Sequence, residues 1–169
     1  MAKSKNILPS QAQNGPGSIS ASSPAVERAI LTAGPFLHRT DEWGTPISLF
    51  TKLDAKFHFD LDPCANESNH KCPDYYTKED DGLTKDWGGR RVFCNPPYGR
   101  AIPAWVKKCS DEAKKPGTLV VALLPARTDT SWFHDHINGK AREIQFVRGR
   151  LHFNDSKNAA PFPSMIVLF

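Results

Sequence analysis

A short apolar strand that runs into two prolines constrains this chain more than any other feature. Residues 91–99 read RVFCNPPYG, so Arg91 to Cys94 form the strand and the prolines follow it. Proline cannot donate a hydrogen bond to a sheet, so Pro96 and Pro97 must lie beyond the strand end. In open α/β sheets, ligands bind just outside the carboxyl ends of the strands. The motif therefore lies where an α/β protein does its chemistry.

The rest of the chain predicts alternating helices and strands. Thr45-Pro46 is a helix start in which Thr45 caps the helix, and the apolar run 118–124 is typical of a buried parallel strand. The order predicts an α/β sheet, mostly parallel, with a hairpin at its C-terminal end. The predicted helices are 45–53, 102–113 and 130–138, and the predicted strands are 57–61, 91–94, 118–124, 143–147, 150–153 and 164–169.

Residues 1–40 differ in composition from the rest. They are polar and rich in turn formers, which predicts a disordered or weakly ordered tail with a short helix at Val26–Leu31. The folded domain is predicted to cover residues 41–169. No apolar run approaches the roughly 20 residues that span a bilayer, and no apolar stretch follows Lys3 and Lys5. We expect a cytoplasmic protein that does not associate with a membrane.

The four cysteines fit a reducing compartment and free thiols. A zinc site formed by Cys64, His70 and Cys72 is conceivable, but the spacing matches no compact metal motif and a fourth ligand is not evident. We predict that the protein binds no metal.

The net charge of +4 is unevenly distributed along the chain. Residues 41–86 carry a net charge of −6, whereas residues 87–169 carry +7. The basic half suits a polyanion such as nucleic acid. The alternative is a solvated surface on which the charges mix.

The Asn-Pro-Pro-Tyr stretch has the groups needed to hold a planar, amino-bearing base. A rigid turn can present the side-chain oxygen of Asn95 and the carbonyl oxygen of Pro96 as two convergent acceptors. Two acceptors suit an amino group with two hydrogens, and Tyr98 offers a flat face for stacking. The alternative is a stiff strand-to-helix turn with a buried tyrosine.

Eight pieces of the chain, in order, resemble the short, phage-type (Dam-like) DNA adenine methyltransferases, which use S-adenosylmethionine and carry an Asn-Pro-Pro-Tyr motif. The resemblance implies transfer of a methyl group to the 6-amino group of adenine in double-stranded DNA, with the base flipped out of the duplex. The pieces are DEWGTP (41–46), FDLDPCA (59–65), YYT (75–77), DGL (81–83), NPPYG (95–99), LPARTDT (124–130), RGRLHF (148–153) and APFPS (160–164).

The resemblance also implies a Rossmann-like class I methyltransferase sheet, but a trimmed one. Such a sheet places two further strands between the cofactor strand and the catalytic strand. Residues 63–90 are too few for two such units. We predict one short strand at Asp74–Thr77, with loop residues such as Trp87 forming the pocket for the cofactor's adenine.

By resemblance, Asn95, Pro96, Pro97 and Tyr98 are the catalytic residues. The glycine-rich continuation of the cofactor loop is missing, because Cys64-Ala65 follows Asp62-Pro63. Thr45 would bind the cofactor's carboxylate, Asp62 its methionine part and Asp81 its ribose, with Asp80 nearly as good. Plain helix-cap and solvated-turn roles are the alternatives. The predicted cofactor-binding residues are Trp43, Thr45, Asp62, Cys64 and Asp81.

DNA recognition is expected to fall to loops 127–138 and 148–160, because there is no room for a separate recognition domain. Arg127, Arg148 and Arg150 are predicted to contact phosphate or a guanine edge. Phe153 or Trp132 is predicted to cover the second face of the flipped base, with core packing as the alternative for both.

Two other functions remain open from the sequence. One is methylation of another planar amine or amide: the 4-amino group of cytosine, an RNA base or a protein glutamine. The other is a non-catalytic DNA-binding relative, which the missing glycine loop would favour. The intact Asn95–Tyr98 stretch argues against this alternative, because a relative that had lost catalysis would not need to keep the motif.

Overall fold

The computed structural model describes residues 42–169. The predicted tail, residues 1–40, and its short helix lie outside the described residues. The described elements are α1 (Ile47–Phe57), β1 (Leu61–Asp62), β2 (Asp74–Tyr75), β3 (Arg91–Cys94), α2 (Ile102–Glu112), β4 (Leu119–Pro125), α3 (Ser131–His136), β5 (Glu143–Phe146), a 3-10 turn (Phe153–Asp155) and β6 (Ser164–Leu168).

The strands form one six-stranded sheet in the order β2-β1-β3-β4-β6-β5. The first four are mutually parallel, and β6 runs antiparallel to both β4 and β5. The predicted α/β class, mostly parallel with an antiparallel C-terminal pair, is confirmed. That pair is joined by a long connection, residues 147–163, and not by a tight turn.

Helices cover both faces of this sheet. Successive strand residues point to opposite faces, and Phe93 packs on Phe50 of α1 with ring centroids 5.2 Å apart. Its neighbour Cys94 contacts Cys109 of α2. Because α1 and α2 therefore lie on opposite sides of β3, the carboxyl end of β3 opens between two layers.

The region between β1 and β3 is reduced, as predicted. It holds the two-residue strand β2 and no helix within residues 63–90. The carboxylates of Asp60 and Asp74 bind the guanidinium of Arg90, which ties together the segments that lead into β1, β2 and β3. No helix among the described residues is long and apolar enough to cross a membrane.

The predicted strand at 57–61 is wrong. Helix α1 continues to Phe57, and His58 ends it in the left-handed conformation, with a φ of 52°. The alternation arises because Phe57 and Phe59 join one aromatic cluster, with ring centroids 5.8 Å apart. The N–H of Phe59 donates to Asp54 Oδ1 and not to a strand.

The predicted strand at 150–153 is also wrong. The backbone of this stretch pairs within its own loop, where the N–H of Ala160 donates to the Leu151 carbonyl. Asn154 and Asp155 then adopt left-handed conformations, with φ of 53° and 52°, which a strand cannot continue through.

Candidate active site

A cavity of about 920 Å³ lies at the carboxyl ends of β1 and β3. It extends from the loops after β1 to the prolines after β3, where an α/β sheet is expected to bind its ligand. Its lining includes all five predicted cofactor residues and three of the predicted catalytic residues: Trp43, Thr45, Asp62, Cys64, Asp81, Asn95, Pro96 and Pro97.

The side chain of Asn95 is held in one orientation by the segment that precedes α1. Its amide nitrogen Nδ2 donates to the carbonyl oxygen of Trp43 and to Thr45 Oγ1, the latter at 3.0 Å. A carbonyl oxygen can only accept, so the atom facing Trp43 must be the nitrogen. The oxygen Oδ1 therefore points away from that segment.

This orientation leaves a buried acceptor without a donor. Among the described residues, no hydrogen bond is donated to Asn95 Oδ1, although the atom is buried. Buried polar atoms are nearly always paired, and leaving one unpaired costs about 1–3 kcal/mol. None of the described residues donates to the carbonyl oxygen of neighbouring Pro96 either. Two adjacent residues of the cavity lining thus each carry an acceptor without a donor among the described residues.

Thr45 is not the helix cap that the sequence predicts. Pro46 occupies the N-cap position of α1, and no side chain caps that helix. The Thr45 side chain is buried, and its hydroxyl accepts from Asn95 instead. Thr45 thus lines the cavity and orients Asn95.

Asp62 brings a buried carboxyl to the cavity wall. Burial raises the pKa of this carboxyl to about 6, while hydrogen bonds from the N–H groups of Lys71 and Cys64 act in the opposite direction. Those two N–H groups fix the side chain of Asp62, and both belong to the loop that leaves β1. Asp62 is therefore positioned by the loop that replaces the missing glycine-rich turn.

The loop after β2 closes the cavity on a second side. A Cβ built on Gly82 would lie 2.0 Å from the Pro63 carbonyl oxygen, so the two loops touch in a way that only glycine permits. Asp81 lines the cavity, whereas the exposed carboxylate of Asp80 binds Thr77. The structure thus brings Asp81, and not its alternative Asp80, to the cavity.

The prediction that Trp87 lines the cavity is wrong. Its side chain is fully buried and its indole N–H donates to the Gly82 carbonyl at 3.1 Å, so it supports the loop from behind. Trp105 of α2, whose ring stacks on Trp87 at 6.3 Å, lines the cavity instead. Trp87 belongs to the core because burying its indole removes more apolar surface from water than leaving the ring on the cavity wall would.

Two cysteines meet at the strand ends. The sulfurs of Cys64 and Cys94 are 3.8 Å apart, and burial raises the pKa of both thiols, so both are neutral at pH 7. The conceivable zinc ligands do not assemble: the ring nitrogen Nδ1 of His70 contacts the Cys72 carbonyl oxygen. Within residues 42–169, no group of three His, Cys, Asp or Glu side chains is arranged to hold a metal ion.

Tyr98 lies in an aromatic cluster beside the cavity and not on its wall. Its ring packs edge-on against Phe153 and Phe162, with centroids 5.9 and 5.5 Å apart, and its hydroxyl donates to the Leu123 carbonyl. Trp43 lines the cavity and contacts the same two phenylalanines. The cluster Trp43, Tyr98, Phe153 and Phe162 therefore packs beside the cavity, and Trp43 is its member on the cavity wall.

The predicted DNA-binding residues lie outside the cavity. Arg127, Arg148 and Arg150 are exposed, and they come from the loops after β4 and β5, which end at the same edge of the sheet. Trp132 is buried in the core on α3. The structure thus brings Phe153 close to Tyr98, and Trp132 does not share that cluster.

Comparison with known proteins shows which family the chain belongs to. The model of the DNA N-6-adenine-methyltransferase (Dam) family matches residues 36–169. This chain belongs to the Dam family. A DNA N-6-adenine-methyltransferase of Haemophilus phage HP1 is 35% identical over 137 residues, which cover 76% of this chain and 78% of the phage protein. The same-named protein of Escherichia phage T1 is 35% identical over 113 residues, 66% of this chain and 46% of that protein.

Membership of the Dam family establishes the chemistry. The chain is a DNA N-6-adenine methyltransferase, and its cofactor is S-adenosylmethionine. The site fits such a group: Asp62, Asp81 and Asn95 line one cavity, and the oxygen of Asn95 lacks a donor. The predicted membership of the phage-type Dam family is confirmed.

Several residues that line this Dam enzyme's cavity were not identified from the sequence, and Gly44, Trp105 and Asn154 are among them. The sequence around Trp105 predicts an amphipathic helix and that around Asn154 predicts a polar loop, so neither pattern indicates a cavity residue. Gly44 belongs to the motif DEWGTP, but nothing local shows that its neighbour would be a residue 110 positions away.

The buried carboxyl of Asp62 predicts a pH-dependent stability. Its pKa in the folded protein, about 6, lies above its ordinary value of 3.8. The folded state therefore binds the proton more tightly, and this contribution to the free energy of unfolding is full below pH 4 and lost as pH rises through 6. The loss amounts to about 3 kcal/mol. We expect urea unfolding of the Asp62→Asn variant to lack this component.

The slopes of stability against pH are compared, and not the absolute stabilities. Between pH 4 and pH 7 the wild type should lose stability relative to Asp62→Asn, and the control Asp80→Asn should follow the wild type there. Parallel pH profiles for wild type and Asp62→Asn would show that folding does not raise the pKa of Asp62.

Proposed function

We propose that the target adenine is flipped out of double-stranded DNA and bound with its 6-amino hydrogens directed at Asn95 Oδ1 and the Pro96 carbonyl oxygen. The observation that carries this proposal is the buried, unpaired oxygen of Asn95, a residue that lines the cavity. An amino group with two hydrogens supplies the missing donor. A base inside a duplex cannot reach an enclosed site, so it must leave the stack.

The two acceptors do more than hold the base. The lone pair of the 6-amino nitrogen is delocalised into the purine ring, which makes it a poor nucleophile. Hydrogen bonds from both hydrogens to Asn95 and Pro96 favour a tetrahedral nitrogen with a localised lone pair. No strong base is needed first, because the surplus proton leaves the nitrogen for water after the transfer. S-adenosylmethionine, when bound, supplies an electrophilic methyl group on a sulfonium.

We assign the cofactor to the part of the cavity formed by the loops after β1 and β2. Asp62 would face the cationic methionine end, and Asp81 would accept hydrogen bonds from the ribose hydroxyls. Thr45 and Cys64 would lie against the methionine portion, next to Asn95. Trp43 and Trp105 supply apolar surface to the cavity lining.

Stacking of the flipped base on Tyr98 requires the aromatic cluster to open. In the structure Tyr98 is buried against Phe153 and Phe162. We propose that the base inserts between Tyr98 and Phe153, so that each ring covers one face. Trp132, buried on α3, would then keep a packing role.

Arg127, Arg148 and Arg150 would contact the phosphates beside the flipped base. They lie beyond the carboxyl ends of β4 and β5, on the side of the sheet where the cavity opens. The relatives come from phages of bacteria, so we place the reaction in the bacterial cytoplasm, where that DNA is found.

Removing these arginines should weaken DNA binding in a salt-dependent way. Abolishing one phosphate contact reduces the slope of log affinity against log salt by about 0.9. We expect Arg127→Ala, Arg148→Ala and Arg150→Ala each to raise the DNA dissociation constant and flatten this slope in fluorescence anisotropy titrations on duplex DNA.

Arg142→Ala is the matched control. Arg142 is also exposed but directly precedes β5, at the opposite edge of the sheet. A salt slope that falls as much for Arg142→Ala as for the other three would mean that the binding face has been assigned wrongly.

Base flipping itself can be observed directly. Sequencing of DNA methylated by the enzyme gives the recognition site, and 2-aminopurine is then placed at the target adenine. A fluorescence increase on complex formation, absent when 2-aminopurine lies one base outside the site, is expected. Unchanged fluorescence at the target position would contradict the proposal.

A further inference from the structure

Asn154 holds the segment that orients the catalytic Asn95. The N–H of Gly44 donates to Asn154 Oδ1 at 2.9 Å, and the N–H of Asn154 donates to the Gly44 carbonyl at 2.8 Å. Both backbone polar groups of Gly44 are thus satisfied by one residue from the 148–160 loop. A reciprocal pair of hydrogen bonds fixes both the position and the orientation of Gly44, which a single hydrogen bond does not.

The space at Gly44 is shaped by this contact. A Cβ on Gly44 would lie 2.1 Å from Asn154 Oδ1 and 3.3 Å from its Cγ. The φ of Gly44 is not in the left-handed region, so the backbone does not require glycine there. The need for glycine comes from the close approach of Asn154.

The residue type at 154 also fits this role. Asn154 has φ 53° and ψ 27°, a left-handed conformation that asparagine, aspartate and glycine tolerate better than other residues. Of these three, asparagine and aspartate also carry an oxygen that can accept from Gly44. The position therefore needs both a left-handed backbone and a side-chain acceptor.

The two residues beside Gly44 are the ones that bind Asn95. The Trp43 carbonyl and the Thr45 hydroxyl accept from Asn95 Nδ2. We infer that Asn154 is a positioning residue: by fixing Gly44 it sets both acceptors and so aims Asn95 Oδ1. This inference rests on the proposed role of Asn95.

The contact also links two parts of the proposed reaction. Arg148 and Arg150 lie in the same loop as Asn154, so the loop proposed to contact DNA also holds the acceptor in place. A displacement of about 1 Å at a reacting group can cost on the order of 100-fold in rate. DNA seated correctly on the loop would therefore favour the aligned position of Asn95.

The test compares Asn154→Gly with Asn154→Asp. Both keep a residue that tolerates the left-handed backbone, but only aspartate keeps the acceptor for Gly44. We expect single-turnover methyl transfer at saturating DNA and cofactor to fall about 10- to 100-fold in Asn154→Gly. In Asn154→Asp it should stay within about threefold of wild type.

Three accompanying measurements separate positioning from other roles. Positioning lowers the transfer rate with little change in the cofactor dissociation constant, the DNA dissociation constant or the thermal midpoint. Asn154 is itself exposed, so its loss removes little packing. A wild-type rate in Asn154→Gly would overturn the inference, as would a loss confined to DNA affinity or one explained by a lower thermal midpoint.

A double-mutant cycle with Gly44→Ala tests the contact itself. Gly44→Ala should slow transfer because its methyl group displaces Asn154, so Gly44→Ala combined with Asn154→Gly should be no slower than the slower single variant. Effects that multiply would show that the two residues act independently.

Asn95→Ala, measured in the same series, distinguishes failure of the proposed function from failure of the positioning role. An active Asn95→Ala would overturn the role of Asn95 and, with it, this inference. An inactive Asn95→Ala beside a fully active Asn154→Gly would overturn the inference alone.

Discussion

Replacing Asn95 by alanine is expected to slow methyl transfer by about a thousandfold or more, because it removes an acceptor aimed at the developing charge. The cofactor should still bind, since Asp62 at the end of β1 and Asp81 in the loop after β2 are unchanged. The rate is measured in single turnover with labelled S-adenosylmethionine, and cofactor binding is measured by calorimetry. A loss of rate with an unchanged cofactor dissociation constant is the predicted result.

Asn95→Asp is the matched variant. It keeps an oxygen for the adenine amino group but loses Nδ2, the donor to the Trp43 carbonyl and the Thr45 hydroxyl. A carboxylate oxygen would then face the Trp43 carbonyl oxygen, which repels it, while Thr45 can rotate to donate. We expect activity between wild type and Asn95→Ala. If Asn95→Asp is as inactive as Asn95→Ala, orientation matters more than the acceptor itself.

Gly82→Ala is expected to disrupt the cofactor part of the cavity. The added methyl group would lie 2.0 Å from the Pro63 carbonyl oxygen and 3.2 Å from the Trp105 ring. Backbone cannot yield as a side-chain tip does, so the loop carrying Asp81 must move away from the loop that follows Asp62. Overpacking of this kind costs about 1–3 kcal/mol. We expect the cofactor dissociation constant to rise more than about tenfold.

Gly88→Ala is the control for this substitution. Its added methyl group would meet the Asp86 carboxylate oxygen at 3.2 Å and the Lys115 side chain at 3.6 Å, and both are exposed side chains that can shift. Cofactor affinity in Gly88→Ala should match wild type. Unchanged affinity in Gly82→Ala would show that the contact between the two loops does not shape the cofactor site.

The sequence predicts those parts of the site that follow from strand ends. Proline cannot continue a central strand, so Asn95 had to follow β3, and Asp62 likewise ends β1 just before Pro63. The short interval 63–90 excluded a full sheet by length alone. These predictions succeed because they depend on local backbone chemistry and on the number of residues available.

The parts that failed depend on contacts between distant segments. Thr45 reads as a helix cap, but its hydroxyl is taken by Asn95, 50 residues away. The alternation at 57–61 reads as a strand, but it serves an aromatic cluster at the end of α1. For Tyr98 the sequence leaves a stacking face and a buried tyrosine both open, and the partners that bury its ring, Phe153 and Phe162, come from a loop more than 50 residues later in the chain. Periodicity and local motifs carry no information about such partners.

Product analysis tests the central claim most directly. The enzyme, labelled S-adenosylmethionine and unmethylated bacterial duplex DNA are incubated, and the product nucleosides are separated, with Asn95→Ala run alongside. We predict label in 6-methyladenine alone for wild type, and its loss in Asn95→Ala. Label in 4-methylcytosine, or undiminished 6-methyladenine in Asn95→Ala, would contradict the assignment of the Asn95 oxygen as the acceptor for the adenine amino group.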